Sequence, residues 1–183
     1  MLPSETPAGP SGSAATRLGQ GEEFRFEVAP ATTVRVILTS GTAEAFGAEL
    51  APAHPYSFCG TSGPTHVAIY SWHGCTLSVE GDPPRHSYVA SADAFMTQVM
   101  HVHASLESRR THAKATGARG PVVLLAGPVD CGKSTVCRIL ANYAARAKRQ
   151  PLVVETHTAD GLVKLPGTVG VAPLARPRNP PLP

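Results

Sequence analysis

Gly127-Pro128-Val129-Asp130-Cys131-Gly132-Lys133-Ser134-Thr135 decides the fold: it fits G-x-x-x-x-G-K-[ST], and the apolar run 121–126 leads straight into it. A phosphate-binding loop needs a strand, a glycine-rich turn and then a helix whose N-terminus faces the anion. Gly127 and Gly132 carry no Cβ to keep backbone N–H groups from closing around a polyphosphate. In such a loop Lys133 reaches the β and γ phosphates, Ser134 holds Mg²⁺, and Thr135 offers a second hydroxyl toward the α phosphate. Val136, Ile139, Leu140, Tyr143 and Ala147 then recur at three- and four-residue spacing, which predicts an amphipathic helix over 133–149. A chance glycine turn before a helix is the competing reading, and the strand, loop and helix in sequence argue against it.

Downstream, the β-branched run 151–155 predicts a parallel neighbour of the first strand after a right-handed crossover. Residues 173–183 are Pro-rich and predict a disordered tail. The span 120–172 thus supplies only about two of the five or so strands that a parallel phosphate-loop sheet usually has, so its edge and one helix face need cover from elsewhere.

Upstream, 93–119 reads as a connecting helix, 92–114, with a short linker at 116–120. His101 and His103 are two apart, which on a helix points them to different faces and predicts no shared metal. Between 22 and 92 the pattern has period two: Phe24, Phe26 and Val28 alternate with Arg25 and Glu27, and Val34, Val36 and Leu38 alternate again. Further short runs at 43–50, 56–59, 67–72, 75–79 and 87–90, separated by Gly and Pro, predict a small β-sandwich. Residues 1–20 show no hydrophobic period and predict a disordered tail.

Composition sets the limits. A net charge of +3 over 183 residues, with scattered arginines, does not by itself announce a nucleic-acid binder. Cys59, Cys75, Cys131 and Cys137 have no metal-ligand spacing and read as reduced thiols. No signal-peptide pattern opens the chain and no apolar run approaches a bilayer's thickness, so a soluble protein of the cytosol or nucleus is expected.

Five stretches together match a known family: Glu23-Phe24-Arg25-Phe26-Glu27; Gly41-Thr42-Ala43-Glu44-Ala45-Phe46-Gly47 with Glu49-Leu50; Tyr70-Ser71-Trp72-His73-Gly74-Cys75; the run 127–143; and Pro166-Gly167-Thr168-Val169-Gly170. Covering 22–172 in order, they make the chain resemble the Clp-type polyribonucleotide 5′-hydroxyl kinases, nuclear subunits of the pre-mRNA 3′-end cleavage factor and of the tRNA splicing endonuclease assembly. The resemblance implies an α+β, multi-domain chain: an N-terminal β-sandwich at 22–92 followed by a partial P-loop, RecA-like α/β domain at 120–172. It implies ATP and Mg²⁺ as cofactors, cleavage-factor or tRNA-splicing subunits as partners, an RNA 5′ end as substrate and the nucleus as location. The nucleotide would be gripped by Asp130 to Thr135. Its base would meet Glu23 and His66, the latter standing where the family usually has lysine.

Two departures bear on catalysis. Where the family reads roughly E-x-D-x-G-Q-G, this chain reads Glu155-Thr156-His157-Thr158-Ala159-Asp160-Gly161, so His157 replaces the carboxylate that would organise Mg²⁺ or take the hydroxyl proton, and Asp160 takes the Gln place. Imidazole is a poor ligand for a hard cation that prefers oxygen. The family's Walker B strand, arginine-bearing lid and RNA clasp have no counterpart in the sequence, and the single tryptophan, Trp72, falls in the β-sandwich, where packing is its expected role. These features predict an ATP-binding chain in which Lys133 remains but phosphoryl transfer to RNA is lost or impaired; the alternative is an active RNA 5′-hydroxyl kinase using His157 or Asp160.

Overall fold

The structure, a computed structural model, describes residues 14–60, 65–156 and 168–177. Two antiparallel sheets face one another, as the alternating patterns require. The first contains β1 (Ala14–Leu18), β8 (Cys75–Gly81), β3 (Thr33–Gly41) and β6 (Pro55–Cys59), in that order. The second orders β5 (Ala48–Glu49), β4 (Glu44–Ala45), β7 (Thr65–Ser71), β2 (Glu22–Val28) and β9 (Arg85–Ser91). Phe24, Phe26 and Val28 from β2 meet Val34, Val36 and Leu38 from β3 in one buried core. The opposite face of β2 carries Glu23, Arg25 and Glu27, and that face builds the site described below.

Several details depart from the sequence reading. Residues 14–18, expected in a disordered tail, pair with β8 from Ala14 opposite Val79 to Leu18 opposite Cys75; one buried residue, Leu18, anchors a strand too short to show a hydrophobic period. The run 43–50 is two short strands joined by a turn in which Phe46 (φ 50°) and Gly47 (φ 79°) are both left-handed. That geometry is the two-residue hairpin turn whose twist matches antiparallel strands. β9 carries a bulge opposite Arg25 to Glu27, with His86 left-handed at φ 46°.

α1 (Asp93–Thr116) follows, its first-turn Asp93 favourable to the helix dipole and its end closed by Gly117 at φ 68°. α2 (Lys133–Arg146) ends three residues before the expected limit, where Lys148 turns left-handed at φ 58°. Ile139, Leu140 and Tyr143 are buried as the spacing predicts.

The phosphate-loop half differs most. The run 121–126 is not a strand: Val122 and Leu124 are 75% and 88% exposed. Nor is 151–155 its parallel neighbour; β10 (Leu152–Glu155) instead pairs antiparallel with β11 (Gly170–Pro173). A cleft of about 540 Å³ separates 121–125 from β10. A strand exists only with a ladder partner about 4.8 Å away, and among the described residues no further strand holds 121–126 in register. Pro173, the last residue of β11, and Leu174, whose N–H donates to Pro151 O at 2.9 Å, are ordered although they fall within 173–183, the expected disordered tail; residues 178–183 lie outside the described residues.

Candidate functional site

The loop before α2 holds two left-handed residues, Asp130 (φ 59°) and Gly132 (φ 83°), a backbone path that turns successive N–H groups inward. Gly132 is the N-cap of α2 and makes no side-chain cap bond, so the first-turn amides remain available to an anion. Lys133 Nζ donates to Pro128 O and lies 3.9 Å from Cys131 Sγ. A Cβ on Gly127 would stand 2.8 Å from Cys131 Sγ, which explains a small residue at the root of the loop.

Between this loop and the outer face of the second sheet lies a cavity of about 690 Å³. Asp130, Cys131, Gly132 and Thr135 line one end, and Glu23, Arg25, His66 and Tyr70 the other. Expected site residues from sequence positions a hundred apart therefore share one cavity. Gly127, Lys133 and Ser134 are not on its lining: Gly127 is at the base of the loop, Lys133 is folded back on Pro128, and Ser134 is exposed beside them. His157 and Asp160 lie outside the described residues.

The strand end of the cavity is charged but internally paired. Glu23 is 5% exposed, and its carboxylate accepts from Arg25 Nε. Burial works against the Arg25 charge, but hydrogen bonds to Tyr88 and Glu23 outweigh it and raise the guanidinium pKa. Burial, with the Asp93, Glu44 and Glu23 carboxylates nearby, pushes the Tyr70 phenol up to about 12, so the ring stays neutral. His66 is exposed directly across the ladder from Glu27.

What fixes the loop relative to the sheet is the β4–β5 hairpin. Glu44, 4% exposed, accepts from Tyr143 Oη and from Arg146 Nη1 at 2.8 Å. Asn142 Nδ2 donates to Phe46 O at 2.9 Å, and the Arg138 guanidinium lies 4.8 Å from the Phe46 ring centre. A Cβ on Gly47 would come within 2.9 Å of Ile139 O, so this glycine permits the close approach of hairpin and helix. Sequence reasoning missed this contact and the pairing of Arg25 with Glu23; the signals available were the polar Asn142 on an apolar helix face and the period-two placement of Arg25 beside Glu23.

The residues suit a nucleotide with Mg²⁺ in one respect and leave a second open to the ligand. The uncapped helix start, the left-handed pair and Lys133 match a polyphosphate. Among the described residues no three His, Cys, Asp or Glu side chains group to hold a metal, so Mg²⁺ would rest on Ser134 and on the phosphates themselves.

Comparison with known proteins gives two family matches: residues 17–113 fit the N-terminal β-sandwich domain of polyadenylation factor, and residues 127–182 fit the mRNA cleavage and polyadenylation factor CLP1 P-loop. The mRNA cleavage and polyadenylation factor clp1 of Aspergillus niger is 49% identical over 152 residues, covering 83% of this chain and 29% of that protein. Its counterpart in Aspergillus terreus is 45% identical over 174 residues, covering 83% and 31%. The chain therefore spans under a third of the length of these relatives. In solved structures, Clp1p from a Clp1p–Pcf11p complex superposes with a TM-score of 0.78 at 22% identity, covering 88% of this chain and 36% of that one. A second, described as showing an extended Pcf11p–Clp1p interface and the basis of ATP loss in a point mutant, also has a TM-score of 0.78 at 21% identity, covering 91% and 38%. Sandwich, loop and helix, matched over most of the chain, make it a member of the Clp1 family of mRNA cleavage and polyadenylation factors.

Proposed function

We propose that this chain holds ATP with Mg²⁺ between its phosphate loop and the outer face of its sandwich, and serves mRNA 3′-end cleavage in the nucleus as a nucleotide-holding part rather than as a kinase. The observation that carries this reading is the shared cavity: Glu23 and His66 at one end, Asp130, Cys131, Gly132 and Thr135 at the other. Amides at the start of α2 would orient the phosphates, Lys133, released from Pro128, would neutralise their charge, and Ser134 would offer one oxygen to Mg²⁺. Mg²⁺ supplies charge neutralisation on the phosphates when bound. His66 offers a ring N–H where a permanent cation is usual in the family, which weakens but does not remove a polar contact to the base. Transfer to an RNA 5′-hydroxyl needs an aligned base and transition-state cations, and an arginine finger alone is worth about 10³ to 10⁵ in rate. Apart from Lys133, the residues assigned here supply neither. Partners are cleavage-factor subunits, by analogy with the Clp1p–Pcf11p complexes.

Calorimetry with ATP and Mg²⁺ tests the reading, followed in the same sample by transfer from labelled ATP to a 5′-hydroxyl RNA. Binding that Lys133→Ala abolishes, without transfer, is the expected result. Transfer by the wild type would sink the non-kinase half of the proposal and point to His157 or Asp160 as the base.

A further inference from the structure

The cavity has a feature that the phosphate loop and Glu23 do not use: two aromatic rings stand exposed in its wall. Tyr88 on β9 is 53% exposed and Phe95 in the first turn of α1 is 43% exposed, and both line the cavity. A large ring left in water at the wall of a cavity keeps apolar area that a bound ligand would cover. Tyr88 is also held in place. It sits opposite Arg25 on the ladder, and Arg25 is in turn paired with buried Glu23. The bulge just before it, with His86 left-handed at φ 46°, is the device by which an edge strand re-aims a side chain toward a site. A non-glycine residue in that region is sparsely populated and persists where the surroundings fix it.

From these observations we propose that Tyr88 and Phe95 form an aromatic stacking platform for the base of the bound nucleotide, favouring the larger face of a purine. This deepens the nucleotide reading above and rests on it. Phosphates anchored at the start of α2 leave the base directed at the strand end of the cavity, where Tyr88 stands opposite Arg25 on the ladder and Phe95 shares the lining with Glu23. Stacking then contributes affinity without choosing among purines, because every base has a π face, while the polar pair beside the rings meets the base edge.

The test compares ATP with inorganic tripolyphosphate, which carries the charge but no base, each titrated with Mg²⁺ into the full chain. Tyr88→Leu and Phe95→Leu should each weaken ATP about ten-fold, within the range of about 1–3 kcal/mol per stacked base, and leave tripolyphosphate unchanged. Tyr88→Phe, which keeps the ring, should retain most of the ATP affinity. Unchanged ATP affinity in both leucine variants would overturn the platform while leaving the nucleotide reading intact, since Lys133→Ala would still abolish binding. Equal loss of ATP and tripolyphosphate would overturn it too, by showing that the rings support the loop rather than the base. A wild type that bound neither ligand would remove the nucleotide reading and this inference together.

Discussion

Glu44 is the residue on which the two halves of the molecule meet. Its buried carboxylate takes the Tyr143 hydroxyl and the Arg146 guanidinium from α2, while Arg146 reaches on to Glu49 at 3.2 Å. Burial, then the Glu44 charge, holds the Tyr143 phenol far above its usual range, so this hydroxyl is only ever a neutral partner. Glu44→Gln keeps the shape but halves the acceptors, leaving one of two donors without a partner, and should cost about 1–3 kcal/mol by urea denaturation. Tyr143→Phe should cost less, since it removes the donor with its hydroxyl, and the double variant should show a coupling of about 0.5 kcal/mol or more. Additive losses would mean that the carboxylate and the phenol act independently. At the hairpin tip, Gly47→Ala adds a Cβ against Ile139 O at a positive φ, and a fall in melting temperature with loss of α2 helicity is expected.

Among elements, α1 is the strut: Glu107 accepts from Arg149 at 2.9 Å and from Arg110 at 2.5 Å, and the His103 ring lies 5.4 Å from that of Tyr143. Burial lowers the His103 pKa below 6.5, aided by Arg110 and Arg146 and opposed by Glu107. The unfolded chain therefore binds the proton first, and stability should fall as pH drops from 6.5 toward the folded value. Glu107 is shifted down from 4.5, because Arg149 and Arg110 outweigh the cost of burial, so its contribution is lost only below pH 4.5. Melting curves between pH 7.5 and 5 should show an acid-side decline that His103→Phe flattens; an unaltered decline would place its source elsewhere. How these elements read in the sequence follows from their physics. Period two in β2 and β3 and the spacing along α2 are local signals, and both are visible because one face of each element is buried. β1 was hidden since five residues with one buried leucine carry no period, and 121–126 misled because apolar β-branched residues mark a strand only when a ladder partner is present. Of the site, the loop was legible from its glycines and Lys133. The places of Arg25, Tyr88 and Phe95 on the cavity wall were not, because they depend on which strand lies beside β2 and where α1 begins.

At the scale of the whole molecule, the two halves are unequally built. The sandwich closes a core in which Val28, Val34, Val36, Ile69 and Leu77 have no exposed surface, and its longer strands pair over five to seven residues. The β10–β11 pair spans four residues and, among the described residues, packs only one face, through Val153 and Leu174 against Ala141 and Ala145 of α2; Leu152, Val154 and Val171 on the other face are 57–68% exposed. A two-stranded ladder with one covered face is marginal by itself, so it should open without unfolding the sandwich. Amide exchange should report this as rapid exchange at 152–155 and 170–173 beside slow exchange at 34–38 and 67–70, with α2 between them because Glu44 and Asn142 tie it to the hairpin. If the nucleotide site is as proposed, ATP with Mg²⁺ should slow exchange along 130–146, by the linkage of ligand to the state that binds it, and leave 152–155 fast. Uniform protection across both halves, with a single cooperative transition, would show instead that the short ladder is held by the rest of the chain, and that the phosphate-loop half is stable without any further strand.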